Sequence, residues 1–174
     1  MNNINTVFVF DLDDTLVETT KANNFAYIEA YKCVMGRDFE WNGGRITRMV
    51  FDNIDRATMK KIVDVKEKIF TRFLDSTYAL PSMRICKALK GEKKILLSYS
   101  SRVRGVQICN YYGILEDFDY MLFKEDLLAT NKYNSLVLKL DPENLIVFED
   151  NEDDIKDAIA SGISKKNIFI QKNK

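Results

Sequence analysis

The chain has 174 residues, 46% of them hydrophobic and 30% charged, enough apolar material for one compact domain with room for a small appendage. Its 26 basic and 26 acidic side chains cancel, so no basic excess points to nucleic acid and no like-charge block reads as a tail. Histidine is absent, which removes histidine triads, histidine metal sites and histidine general bases together.

Residues 6–10, Thr-Val-Phe-Val-Phe, are a continuous β-branched and aromatic run, which predicts a buried strand of a parallel sheet. Residues 22–35 read as a helix closed by Gly36, and residues 37–55, with Trp41 and Gly43-Gly44, as a looser stretch. Met59, Ile62, Val63, Ile69, Phe70, Phe73 and Leu74 recur at helical spacing and predict a second long helix over 56–76. Residues 18–79 therefore read as a helical insertion directly after the first strand, with Trp41 expected in its core rather than as a surface on which a ligand stacks. Residues 94–98 are the next strand, after a turn at Gly91, and residues 102–112 a helix ending at Gly113. A short strand follows at 119–122, then a strong one at 145–148 after Asp141-Pro142. Residues 155–161 place Ile155, Ala158 and Ile159 on one helix face and end at Gly162, before a last short strand at 167–170. Such alternation predicts an α/β fold, a Rossmann-like parallel sheet with helices on both faces, built from residues 1–17 and 80–174.

Cys33, Cys86 and Cys109 are scattered and include no CxxC pair, so they read as buried reduced thiols, which suit a cytoplasmic setting. The first apolar run is too short for a signal peptide, and no stretch is long enough to span a membrane.

The sharpest local signal is Asp11-Leu-Asp-Asp-Thr15, which follows the first strand without a break. Ligands of open α/β sheets bind beyond the carboxyl ends of strands. Three carboxylates there repel one another and lose hydration, a cost that a bound divalent cation would offset. Three further pieces sit in order: Ser98 at the end of the second strong strand, Lys132 in Thr130-Asn131-Lys132, and Glu149-Asp150 with Asp154 after the third. Alone, the serine reads as a helix cap, the lysine as solvated surface, and the acids as favourable placement near a helix dipole. Their joint order at strand ends carries more than any one of them.

In this set the sequence resembles the haloacid dehalogenase superfamily, over nearly the whole chain. Residues 7–15 match its first motif, a hydrophobic strand followed by DxDxT; Ser98 matches the second, Lys132 the third, and Glu149-Asp150 with Asp154 the fourth. The stretch from Val147-Phe-Glu-Asp150 to Ala160-Ser-Gly162 is similar to β-phosphoglucomutase-like and phosphoglycolate-phosphatase-like members, and Leu80-Pro81 looks like the return from their helical cap. The chain departs from the pattern at Tyr99, where the family carries Asn, and at Tyr133, where it carries Pro. The segment from Lys132 to Asp150 is also short, which predicts a clipped helix and leaves Lys124 as an alternative lysine.

The resemblance implies a Mg²⁺-dependent phosphatase acting on a small phosphorylated substrate. Asp11 would attack phosphorus and form an aspartyl phosphate, and Asp13 would serve as general acid and then base, with its acidic neighbours raising its pKa. Ser98 and backbone N–H groups near Leu12, Asp13 and Tyr99 would hold phosphate oxygens, and Lys132 would neutralise the phosphate and orient Asp11. Asp11, the backbone carbonyl of Asp13, and Asp150 would hold the metal, with Glu149 and Asp154 in or around its shell and Thr15 beside them. Residues 18–79 would be the cap that reads the leaving group, with Arg45, Arg48 and Lys61 as candidate contacts. A phosphomutase, a receiver-like signalling domain and a catalytically silent binding protein stay open as alternatives. The receiver reading is opposed by the late acid pair and the helical insertion. Substrate identity, including phosphorylated nucleic-acid ends, and oligomeric state are not legible.

Overall fold

The computed structural model describes residues 6–127 and 131–171; Thr130 of the lysine segment lies outside them. The chain divides into two compact units, one formed by Met1–Val17 with Ala79–Lys174, the other by Glu18–Tyr78.

In the first unit, β1 (Val7–Phe10), β4 (Lys93–Leu97), β5 (Tyr120–Leu122), β6 (Leu145–Glu149) and β7 (Ile168–Ile170) form a parallel sheet in the order β5-β4-β1-β6-β7. β2 (Val17–Glu18) and β3 (Tyr78–Ala79) make a separate two-stranded sheet where the chain leaves and re-enters this unit. Helices α3 (Pro81–Ala88), α4 (Arg102–Tyr111), α5 (Asn134–Val137) and α6 (Glu152–Ala160) connect the strands of the large sheet. The fold is the α/β, Rossmann-like arrangement that the strand–helix alternation predicts. The helix after Lys132 is clipped to four residues, as the short segment requires.

Successive residues of β1 face opposite sides of the sheet. Val7 and Val9 join Ile95, Leu97, Leu145, Val147, Tyr133 and Leu136 in one buried cluster. Phe10 faces the other way and stacks on Phe148 at 4.5 Å, and Phe148 stacks on Phe169 at 5.1 Å. The register explains this row, because Phe10 lies opposite Phe148 and Phe148 opposite Phe169. Ala158 of α6 is buried, but Ile159 is exposed, so the apolar face of that helix is narrower than its sequence reads.

Strand order fixes where a ligand can bind. The chain runs outward through β4 and β5 on one side of β1, then returns to β6 on the other. β1 and β6 are therefore the switch point, where the loops at the carboxyl ends diverge and leave a crevice. Phe10 is level with Leu96 and Phe148, so Asp11, Leu97 and Glu149 emerge together at that edge.

The second unit contains α1 (Thr20–Met35) and α2 (Arg56–Ile69). α2 stops at Ile69 and tightens into a 3₁₀ stretch, Phe70–Ser76, where the sequence predicts a continuous helix. Ile-Phe-Thr is a weak helix former, and the tighter turn still buries Phe70 and Leu74. Tyr27, Tyr31, Phe39 and Phe51 form an aromatic cluster. Trp41 is its rim and not its core: it is 37% exposed, stacks on Phe39 and donates its indole N–H to the Gly44 carbonyl. Cys33 is exposed, against expectation, while Cys86 and Cys109 are buried, and burial pushes their thiols up to about 11 and about 12. Among the described residues no helix is long and apolar enough to cross a membrane.

Candidate active site

The turn after β1 is built by its leucines. Leu12 and Leu16 are fully buried, and the Leu12 carbonyl accepts the N–H groups of both Leu16 and Val17. Asp14 closes this turn in the left-handed region, φ 59°, which aspartate tolerates better than most residues. With the leucines turned inward, Asp11 and Asp13 are left at the strand end, and Thr15 reaches across to donate to Asp150 at 2.8 Å.

Lys132 lies at the centre of this site. Its ammonium is fully buried and lies 3.0 Å from Asp11, 2.6 Å from Glu149 and 2.7 Å from Asp154. Burial alone would lower its pKa, but the surrounding carboxylates win and hold it well above the ordinary lysine value. Lys124 is exposed in the turn after β5 and makes no ion pair with these acids among the described residues.

Glu149 is saturated. One carboxylate oxygen accepts the N–H groups of Asp150 (3.1 Å) and Asn151 (3.2 Å). The other takes the Tyr133 hydroxyl (2.8 Å) and Lys132 (2.6 Å). A carboxylate has about four lone-pair sites, so Glu149 has none left for a cation and serves instead to fix Lys132. Asp11, Glu149 and Asp150 each bring an oxygen within 4.8 Å of the others. Of these, Asp11 and Asp150 are the pair with capacity to spare.

Charge in the cluster is unbalanced. Burial first, then Glu149, Asp13 and Asp150, push the Asp11 carboxyl well above its ordinary range, against the pull of Lys132. Burial, with Glu149 and Asp14, pushes Asp150 up to about 6 in spite of its bond from Thr15. One lysine cannot neutralise Asp11, Glu149 and Asp154 and also Asp150. The donors are all oxygen, the chemistry that selects a hard divalent cation such as Mg²⁺.

Asp13 is not surrounded only by acids, as the sequence reading has it. The Arg104 guanidinium makes an ion pair with one oxygen, and the Ser100 hydroxyl donates to the other. Arg104 also donates to that hydroxyl at 2.9 Å. Ser98 closes β4; its N–H donates to Leu122, so that amide belongs to the sheet and not to a ligand. Its hydroxyl accepts the Ser100 N–H at 3.1 Å, which leaves the O–H to donate elsewhere. Tyr99 is 44% exposed, with its ring centre 5.6 Å from the Lys132 ammonium. Arg45 belongs to the helical unit, where it donates to the hydroxyls of Thr19 and Thr20.

No family model matches the sequence, and no curated protein matches it. Solved structures match its fold. CbbY from Rhodobacter sphaeroides, in complex with phosphate, superposes with a TM-score of 0.73 over 90% of this chain and 83% of its own, at 18% identity. A haloacid dehalogenase-like family hydrolase from Streptococcus pneumoniae gives 0.73 over 92% and 83%, at 16% identity. A haloacid dehalogenase-superfamily hydrolase from Geobacter sulfurreducens gives 0.68 over 93% and 86%, at 12% identity. This chain has the haloacid dehalogenase-like fold.

On that fold, Asp11, Asp13, Thr15, Ser98, Lys132, Glu149, Asp150 and Asp154 gather at the carboxyl edge of the sheet. The sequence reading missed four side chains that support them: Arg104, Ser100, Tyr133 and Asn131. Asn131 donates to the Asp157 carbonyl and the Ser161 hydroxyl, and accepts the Tyr133 N–H at 2.7 Å, which ties the lysine loop to α6. A signal existed for Asn131 and Tyr133, since they flank the lysine. None existed for Arg104, one of several basic residues on a helix.

Proposed function

We propose that the chain is a Mg²⁺-dependent phosphatase that hydrolyses a small phosphomonoester through an aspartyl phosphate on Asp11. The observation that carries this reading is the buried Lys132 ammonium, 3.0 Å from Asp11, beside a second carboxylate, Asp150, with oxygen capacity to spare. A lysine buried among acids orients an anionic nucleophile and stabilises negative charge brought to it.

In this reading Asp11 forms a bond to phosphorus, and the leaving oxygen keeps the electron pair of the broken P–O bond. Asp13 gives that oxygen a proton, then takes one from the water that attacks the phosphoaspartate. Ser98 donates its hydroxyl hydrogen to a phosphate oxygen. Lys132 holds Asp11 in place and offsets phosphate charge, with Glu149 and Asp154 fixing the lysine in turn. Asp11, Asp150 and the Asp13 carbonyl would hold Mg²⁺, which when bound supplies charge neutralisation for the phosphoryl group. The helical unit, Glu18–Tyr78, is proposed to act as the cap that selects the leaving group. CbbY structures hold phosphate and, in another crystal, xylulose-1,5-bisphosphate; a small sugar phosphate is a reasonable first substrate to try here. The cysteines form no disulfide, which supports the proposal of a cytoplasmic setting.

The test is a screen of phosphomonoesters with and without Mg²⁺, repeated with Asp11→Asn. Mg²⁺-dependent release of phosphate, lost in the variant, is the expected result. Full turnover in Asp11→Asn would defeat the mechanism. A requirement for a bisphosphate activator, with phosphate returned to substrate, would make the chain a phosphomutase instead.

A further inference from the structure

The triangle Arg104–Ser100–Asp13 is not needed to hold a metal or to fix Lys132, yet Arg104 and Ser100 are buried in it, and the half-buried Asp13 carboxylate takes the guanidinium on one oxygen and the Ser100 hydroxyl on the other. Arg104 is 5% exposed and Ser100 5% exposed. Burying a guanidinium is costly, and this one lies against the residue assigned the proton transfer. Its place depends on Gly105. A methyl group there would collide with the Phe123 ring, so only glycine lets α4 lie this close to the end of β5. Glycine inside a helix costs stability relative to alanine, and here that cost secures the approach of α4, which brings Arg104 within reach of Asp13.

We propose that Arg104 is a positioning residue for Asp13: with Ser100 it fixes the direction of the carboxyl group and stabilises the carboxylate that forms there when the proton is given up. The proposal rests on the reading of Asp13 as the proton donor. In that step the Asp13 O–H bond breaks and its proton joins the leaving oxygen. The P–O electron pair stays on that oxygen, and a bond forms between Asp11 and phosphorus. Negative charge thus develops on Asp13, where a fixed guanidinium is already aimed. The guanidinium cannot supply the proton itself, because it does not deprotonate in proteins. Its planar fork reaches both the Asp13 carboxylate and the Ser100 hydroxyl, which a lysine ammonium would reach less well.

The consequence is a dependence on the leaving group. 4-Nitrophenolate departs without a proton, whereas unsubstituted phenolate needs one. The value of kcat/KM covers all steps through phosphoryl transfer, so the ratio of kcat/KM for 4-nitrophenyl phosphate to that for phenyl phosphate reports on Asp13. In Arg104→Met that ratio is expected to rise at least about tenfold, within the span that general acid catalysis supplies. Arg104→Lys is expected to recover part of the loss, and Ser100→Ala to raise the ratio by a smaller factor. A ratio unchanged in folded Arg104→Met, with the wild type active on both esters, overturns this proposal alone. If Arg104→Met does not fold, an unchanged ratio in Ser100→Ala overturns it equally. Absence of wild-type activity on both esters and on every phosphomonoester of the screen overturns both this proposal and the phosphatase reading beneath it.

Discussion

The phenol of Tyr133 donates to Glu149 at 2.8 Å while its ring packs among Val7, Val9, Ile95, Leu97 and Val147. A residue of the hydrophobic core thereby holds the acid that holds Lys132. Tyr133→Phe keeps the ring and removes one of four donors to Glu149. Urea unfolding is expected to show a loss of about 1.5–3 kcal/mol, the range for a hydrogen bond to a charged group. Turnover is expected to fall several-fold as Lys132 loosens, and unchanged kinetics would show that the remaining donors suffice.

Lys132→Met would leave Asp11, Glu149 and Asp154 without the cation they share. Breaking a buried ion pair on one side costs about 3–5 kcal/mol. The variant is expected to lose stability on that scale and to lose turnover altogether. Denaturation midpoints and phosphate release measure the two effects separately. A variant as stable as wild type would mean that these acids protonate without cost.

The Asp150 carboxyl sits at about 6 in the folded protein, against an ordinary value of 3.8, chiefly through burial. The folded state therefore binds this proton more tightly than the unfolded state does. The resulting stabilisation is complete below the unfolded value and is lost as pH rises through about 6. With a chelator present, the unfolding midpoint of wild type relative to Asp150→Asn is expected to fall between pH 4 and pH 7. Adding Mg²⁺ is expected to restore stability more at pH 7 than at pH 5, since the cation replaces the lost proton. A difference that rises with pH would contradict the assignment.

Gly105→Ala adds a methyl group where the Phe123 ring already lies. Overpacking of this kind costs about 1–3 kcal/mol, although alanine is by itself the better helix former. Thermal unfolding is expected to show the loss. Because α4 must move, the variant is also expected to share part of the leaving-group dependence of Arg104→Met.

Much of the fold was legible because its signals are local. The five strands of the large sheet read as apolar runs, and Gly36, Gly113 and Gly162 mark helix ends where they take positive φ. The end of α2 was not legible, since the periodicity of Phe70 and Leu74 is the same for a helix and for the tighter 3₁₀ stretch that replaces it. Trp41 and Ile159 were placed by hydrophobicity alone, which does not distinguish a core from its rim.

The sequence by itself determined which carboxylates stand at the strand ends, because a strand, its length and the residue that follows it are neighbours along the chain. It also set the oxygen-only chemistry of the site, through the absence of histidine and the scatter of its three cysteines. Only the tertiary structure decided which cations meet those acids. Asp13 and Arg104 lie 91 positions apart, Asp11 and Lys132 121 apart. Such pairings follow from the crossover of β1 and β6, from the close fit of Gly105 on Phe123, and from a tyrosine that anchors the lysine loop in the core. Electrostatic partners are chosen by distance in space, and that distance is set by packing, which no local pattern in the chain encodes.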